Sequence, residues 1–297
     1  MLLEKRIPLS YIIKNIKKEI LYVILVGVVV HFLTTVFADK LPEMPLTVPA
    51  FLGTAISILL SFKMSQSYDR WWEARKIWGA IVNDSRSFVI QLQSFIGPDQ
   101  QALIKKIAFR QIGWCYALGQ TLRGKDALSL SGSYFTEEEL MEIKKHHNKP
   151  LAILQMNASD ITSLKTENEI DVLSHIQLDN SLTRLCDSMG KAERIKGTVF
   201  PTTYRFYLTW SIYLFVIILS VALKNVDIYF EMPLLIVVSM VFFLLEKSAT
   251  FLQDPFNENP TSTSVTSIAR NIEINIKQLL QEKEIPQPLH SDSFYIL

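Results

Sequence analysis

Residues Pro49 to Arg86 read PAFLGTAISILLSFKMSQSYDRWWEARKIWGAIVNDSR, and no other stretch limits the possible folds as tightly. Up to Phe62 the segment carries no charge and is apolar enough to sit in a bilayer. It then continues without a Pro or Gly into SYDRWWEARK, a basic and aromatic run that belongs in water. A helix that crosses from lipid to water in this way suits the lining of a path between bilayer and cytosol. That points first to a channel or transporter.

Three further stretches accompany it. Ile20 to Ala38 has no formal charge and is about one span long, and Phe206 to Leu223 is equally clear. The fourth is shorter, with a charge-free core only from Met232 to Leu245; it reaches spanning length if Ile228 to Phe230 join it and Glu231 faces water or protein. The second span itself covers Met44 to Phe62, with Pro45, Pro49 and Gly53 loosening its start. The expected spans are therefore about 20–38, 44–62, 206–223 and 228–246.

Charge placement orients them. Lys5, Arg6, Lys14, Lys17 and Lys18 precede the first span, and Lys63, Arg70, Arg75 and Lys76 follow the second. The connections Asp39–Glu43 and Lys224–Asp227 hold one Lys each. The positive-inside rule then puts both termini and the regions of about 63–201 and 247–297 in the cytosol of a multi-pass cell-membrane protein. A net charge of +1 over 297 residues excludes a dedicated nucleic-acid binder. Cys115 and Cys186, far apart and without CxxC spacing, read as two buried reduced thiols.

The polar middle reads as helical. Apolar residues from Phe88 to Leu118 recur at helical spacing, and Gly97-Pro98 divides them into two helices. Thr136 with Glu139 forms a capping-box pattern for a short helix ending before Pro150. Asn168 to Lys196 is the longest cytosolic candidate, and Thr266 to Gln281 offers another helix. No strand pattern competes, and no repeat is present.

On the second span, Thr54, Ile58 and Phe62 recur every four residues and share one face, with Ser57 and Ser61 beside them. Several copies around an axis would make this stripe a narrow apolar ring stack able to gate ions by dewetting. It would equally serve packing against a neighbouring span, with Gly53 and the serines permitting close approach. Asp69, Arg70, Trp71, Trp72 and Glu73 follow. Taken alone they read as an interfacial aromatic belt with surface ion pairs, Glu73 lying three residues before Lys76.

SYDRWWEARKIWGAIVNDSR strongly resembles the corresponding stretch of the bestrophin family, particularly its bacterial branch. DNSLTRLCDSMGKAERIKGTVFP resembles the family's cytosolic helix leading into the third span, and LLEKSATFLQDPFNENP its exit from the fourth. The resemblance covers nearly the whole chain. It implies an all-α channel subunit, residues 1–297, with four transmembrane helices and a large helical cytosolic region, assembling as a homopentamer in a lipid bilayer. It also implies passive conduction rather than catalysis, with chloride and other monovalent anions as the default. A Na+- or K+-selective channel and a membrane-anchored scaffold or sensor without conduction are the alternatives.

Counting from Arg70-Trp71-Trp72, the family's hydrophobic neck falls on Thr54, Ile58 and Phe62. The Thr departs from the usual apolar residue and would make that end of the neck wetter. A second, cytosolic constriction is implied near Val172 or Ile176. Lys63 would place a ring of positive charge at the cytosolic mouth if its side chain faced the pore.

Animal members bind calcium through an acidic cluster after the Pro-Phe pair, whereas here Asn257, Glu258 and Asn259 offer one carboxylate. No metal, cofactor or catalytic constellation is expected. His31, in the first span, reads as a packed or pore-side polar group.

Overall fold

The computed structural model describes residues 7–37, 40, 43–198, 201–291 and 293–296. Lys5 and Arg6, Ala38 at the expected end of the first span, most of the Asp39–Glu43 connection, and Val199-Phe200 in the third-span motif lie outside the described residues. Among the described residues the regular structure is helical, without a β-strand. The helices are α1 (Leu9–Val36), α2 (Thr47–Phe95), α3 (Gln101–Leu122), α4 (Glu137–Lys145), α5 (Lys149–Thr166), α6 (Val172–Gly197), α7 (Thr202–Ala222), α8 (Ile228–Gln253) and α9 (Val265–Leu279). Four of them, α1, α2, α7 and α8, are long and apolar enough to cross a membrane.

Local chemistry accounts for several helix ends. Pro49 lies in the first turn of α2, where its missing N–H breaks no helical bond. The α2 helix stops just before Gly97-Pro98, and a single 3-10 turn then leads into α3. Thr136 and Glu139 form both bonds of the capping box at the start of α4. That helix ends at Lys145, before Pro150 as expected, and Pro150 then occupies the first turn of α5, a helix the periodicity did not reveal. The α6 helix begins at Val172 because Asp171 caps it, accepting from the N–H groups of Leu173 and Ser174. Asn168, where the helix was expected to begin, has a φ of 60 and lies in the preceding turn.

The backbone divides into two compact units, and α2 contributes residues up to Arg70 to one and from Trp71 onward to the other. In the first unit, α1 packs on α7 and α8, and α7 packs on α8. Its core holds Ile16, Val23, Ile56, Leu60, Ile212, Phe215, Leu235 and Phe243. Gly53 permits a close approach there, since a Cβ at that position would sit 3.2 Å from the Phe215 ring.

In the second unit, α3 packs against α5, α6 and α9. Trp78, Phe88, Leu92, Ile104, Ile112, Trp114, Leu118, Leu185 and Ile272 are its buried centre. A polar clamp pins three of its helices. The buried Arg110 of α3 donates from Nε and Nη2 to Glu139 Oε1 of α4, and from Nη1 to Asp160 Oδ2 of α5. Glu139 thus serves both the capping box and the clamp.

Candidate functional site

At 100° per residue, four-residue steps advance a side chain by only about 40° around a helix. Thr54, Ile58 and Phe62 therefore stay on one side of α2, and all three are exposed in the subunit, Ile58 at 53% and Phe62 at 62%. The opposite side, Ile56, Leu60, Lys63 and Ser67, is buried. Two hydroxyls on and beside the stripe are turned back into the helix: Thr54 Oγ1 donates to Ala50 O at 2.9 Å, and Ser57 Oγ to Gly53 O at 2.8 Å. The exposed face therefore offers fewer free donors than its residue names suggest. An open groove lined by Ser57, Ser61, Met64, Ser65 and Tyr68 runs beside the stripe.

Lys63 does not join this face. Its side chain is fully buried, and Nζ donates to Glu246 Oε1 at 2.7 Å and Thr250 Oγ1 at 3.0 Å on α8. The expectation of a cationic ring at the mouth is therefore corrected. Lys63 lies about 100° from Phe62, which turns it toward α8, and a buried ammonium needs a counter-charge that Glu246 supplies. Thr250 also donates to Glu246 Oε1, and Arg205 approaches it to 4.0 Å.

Val172 and Ile176 sit on the first turns of α6, exposed at 57% and 47%. Leu173 between them is exposed at 75%. Their spacing puts Val172 and Ile176 on one helical side, with Asp171 holding the turn in place.

The motif residues have distinct surroundings. Arg70 Nε donates to Gln253 O at 2.5 Å, and Trp71 Nε1 to Thr261 O at 2.7 Å, so both tie α2 to backbone near the end of α8 and beyond it. Trp72 is half exposed with its ring 6.1 Å from that of Trp71. Glu73 forms the expected pair with Lys76, and Asp69 is exposed. The aromatic-belt reading misses the two backbone bonds of Arg70 and Trp71.

Two buried carboxylates were visible in the sequence without their partners. Glu231 is fully buried; its Oε2 lies 2.7 Å from His31 Nδ1, and its Oε1 accepts from Ser220 Oγ at 2.6 Å. Glu246 holds Lys63 as described. An acidic residue within an apolar span signals a partner, but not which residue provides it.

In the loop after α8, Glu258 accepts from Lys125, which holds its carboxyl below the usual range. Lys196 reaches Asp254 at 3.5 Å and Asn257 at 3.3 Å. The single carboxylate after the Pro-Phe pair thus has a lysine as its neighbour. Cys115 is buried, with its thiol pushed up to about 12 by that burial. Cys186 is exposed, which corrects the expectation of two buried thiols; it lies on the polar side of α6 between Leu185 and Asp187.

Comparison with known proteins fits this architecture. The family described as Bacterial/Fungal Bestrophin protein matches residues 5–278. The voltage-dependent anion channel-forming protein YneE of Salmonella typhi is 30% identical over 250 residues, covering 84% of this chain and 81% of that protein. YneE of Escherichia coli (strain K12) is 28% identical over 287 residues, covering 96% and 93%. The crystal structure of a bacterial bestrophin homolog from Klebsiella pneumoniae superposes with a TM-score of 0.85 at 24% identity, covering 91% of this chain and 100% of that one. Four apolar helices, a helical remainder and a family match over nearly the whole length agree: this chain belongs to the bacterial branch of the bestrophin family.

Proposed function

We propose that the chain, residues 1–297, is one subunit of a homopentameric anion channel that passes chloride and other small monovalent anions through a central pore. The observation that carries this reading is the bare stripe of α2. Thr54, Ile58 and Phe62 share an exposed, uncharged side, while the nearest charge, Lys63, is turned away and neutralised by Glu246. A ring of such stripes forms a dry constriction that gates by dewetting. Four spans of a single chain enclose a pore poorly, so the stripe calls for a closed ring of copies. Val172 and Ile176 form the second, cytosolic constriction. Both termini face the cytosol, in keeping with the lysines before the first span.

The relatives named as voltage-dependent anion channel-forming proteins support the sign of the permeating ion. An uncharged neck discriminates little by sign, so vestibule charges set the preference. The test is the reversal potential of purified protein in planar bilayers under a KCl gradient. A value near the chloride equilibrium potential is expected. A value near that of potassium would overturn the anion assignment, and a folded oligomer without current would overturn conduction itself.

A further inference from the structure

Helix α1 has two opposed faces. Ile16, Val23, Gly27 and Thr34 are buried. Half a turn away, Lys14, Lys17, Lys18, Leu21, Leu25 and Phe32 are all exposed, with Leu21 at 63% and Phe32 at 65%. At 100° per residue these six fall within an arc of about 100°, so one continuous bare side changes from basic to apolar along the helix. The neighbouring acid does not offset the lysines, because Glu19 is paired with Lys247 Nζ at 3.4 Å. Among the described residues none of the three lysines has an ion-pair partner.

Axial spacing sets the level of the cluster. The charge-free run from Ile20 to Val36 rises about 25 Å at 1.5 Å per residue, close to the thickness of a hydrocarbon core. With that run in the bilayer, Lys18 lies at its edge and Lys14 about 6 Å further out, the level of lipid phosphates. Tyr22, one turn deeper than Lys18, is exposed with its ring edge-on to Tyr213, as suits an interfacial aromatic.

We propose that Lys14, Lys17 and Lys18 form a docking site for the headgroups of anionic phospholipids, whose acyl chains lie along the Leu21, Leu25 and Phe32 side of α1. Three ammonium groups at phosphate level, unpaired among the described residues, attract anionic headgroups, and lysines act as point charges that do so without fixed stereochemistry. The apolar continuation of the same side gives the acyl chains a matching surface. The site is independent of which ion the pore carries.

The test is native mass spectrometry of protein released from nanodiscs made of equal parts phosphatidylglycerol and phosphatidylcholine, counting the lipids retained. Wild type is expected to retain phosphatidylglycerol preferentially, and K14Q/K17Q/K18Q to lose that preference on the order of tenfold. K14R/K17R/K18R is expected to keep it, which separates charge from folding. A high-salt wash of wild type provides the same reading without a variant, since screening strips electrostatically held lipid. An unchanged preference in the glutamine variant, or retention indifferent to salt, would overturn the proposal. So would amine cross-linking of Lys14 or Lys18 to a neighbouring copy, which would make this side an interface between subunits.

Discussion

Replacing Lys63 by Met or Glu246 by Gln singly, and the pair together by Met and Leu, tests the packing that turns charge away from the exposed stripe of α2. Removing one member of a buried ion pair costs about 3 to 5 kcal/mol, because the other charge is left without compensation. The two single changes are not equivalent here. With Lys63 gone, Glu246 keeps the Thr250 hydroxyl and has Arg205 at 4.0 Å, and its side chain is 9% exposed. With the Glu246 charge gone, the fully buried Lys63 ammonium keeps only weak neutral acceptors. Lys63→Met should therefore cost about 3 kcal/mol and Glu246→Gln about 5 kcal/mol, the two ends of that range. K63M/E246L, which buries no charge, should recover to within about 1 to 2 kcal/mol of wild type. The assay is SDS-induced unfolding in mild detergent at fixed protein concentration, followed by tryptophan fluorescence, since mass action makes an oligomer's stability depend on concentration. A Glu246→Gln cost no larger than that of Lys63→Met would refute the reasoning, as would a double variant as unstable as the sum of the singles.

Other expectations follow from single sites. Phe62→Ala should widen the neck and raise single-channel conductance, and an unchanged current would remove Phe62 from the gate. Glu273 is buried between Tyr116, Arg270 and Lys277; burial raises its pKa, but the neighbouring Tyr134, Lys277 and Tyr116 outweigh it, so the net direction is down. A depressed carboxyl stabilises the fold above its unfolded value and loses that contribution as pH falls below about 4.5. Glu273→Gln should thus cost about 1 to 3 kcal/mol at neutral pH, with the difference from wild type closing on acid titration. A difference that stays constant with pH would assign the loss to shape rather than charge.

The sequence disclosed what depends on near neighbours along the chain. Charge-free runs located α1 and α7, Gly97-Pro98 marked the end of α2, and the Thr136–Glu139 box marked the start of α4. The α5 helix escaped because Pro150 reads as a stop signal, yet in a first turn it is a start signal. Its many Ser, Thr and Asn residues also blur the apolar stripe. The apolar spacing places the start of α6 at Asn168, ahead of the observed Val172, because the cap is set by the Asp171 side chain rather than by the periodicity. At the site, the stripe of Thr54, Ile58 and Phe62 follows from four-residue spacing alone. The orientation of Lys63 was half legible: its angle from Phe62 follows from helix geometry, while its partner lies 183 residues away on another helix. His31 and Glu231, 200 residues apart, pose the same difficulty. Long-range pairing of charges in an apolar setting is decided by which helices pack together, and a single sequence does not carry that.

The central claim is that the exposed side of α2 lines the anion pathway, and substituted-cysteine accessibility tests it most directly. In a Cys186→Ser background, where the remaining Cys115 is buried and its thiol is held at about 12, cysteines are placed at Thr54, Ile58 and Phe62 and at Ile56 and Leu60. An anionic methanethiosulfonate is then applied to single channels. Block at the first three positions with no effect at Ile56 and Leu60 is the predicted result. Equal modification of both sets, or block only at Ile56 and Leu60, would place the pathway elsewhere and contradict the account.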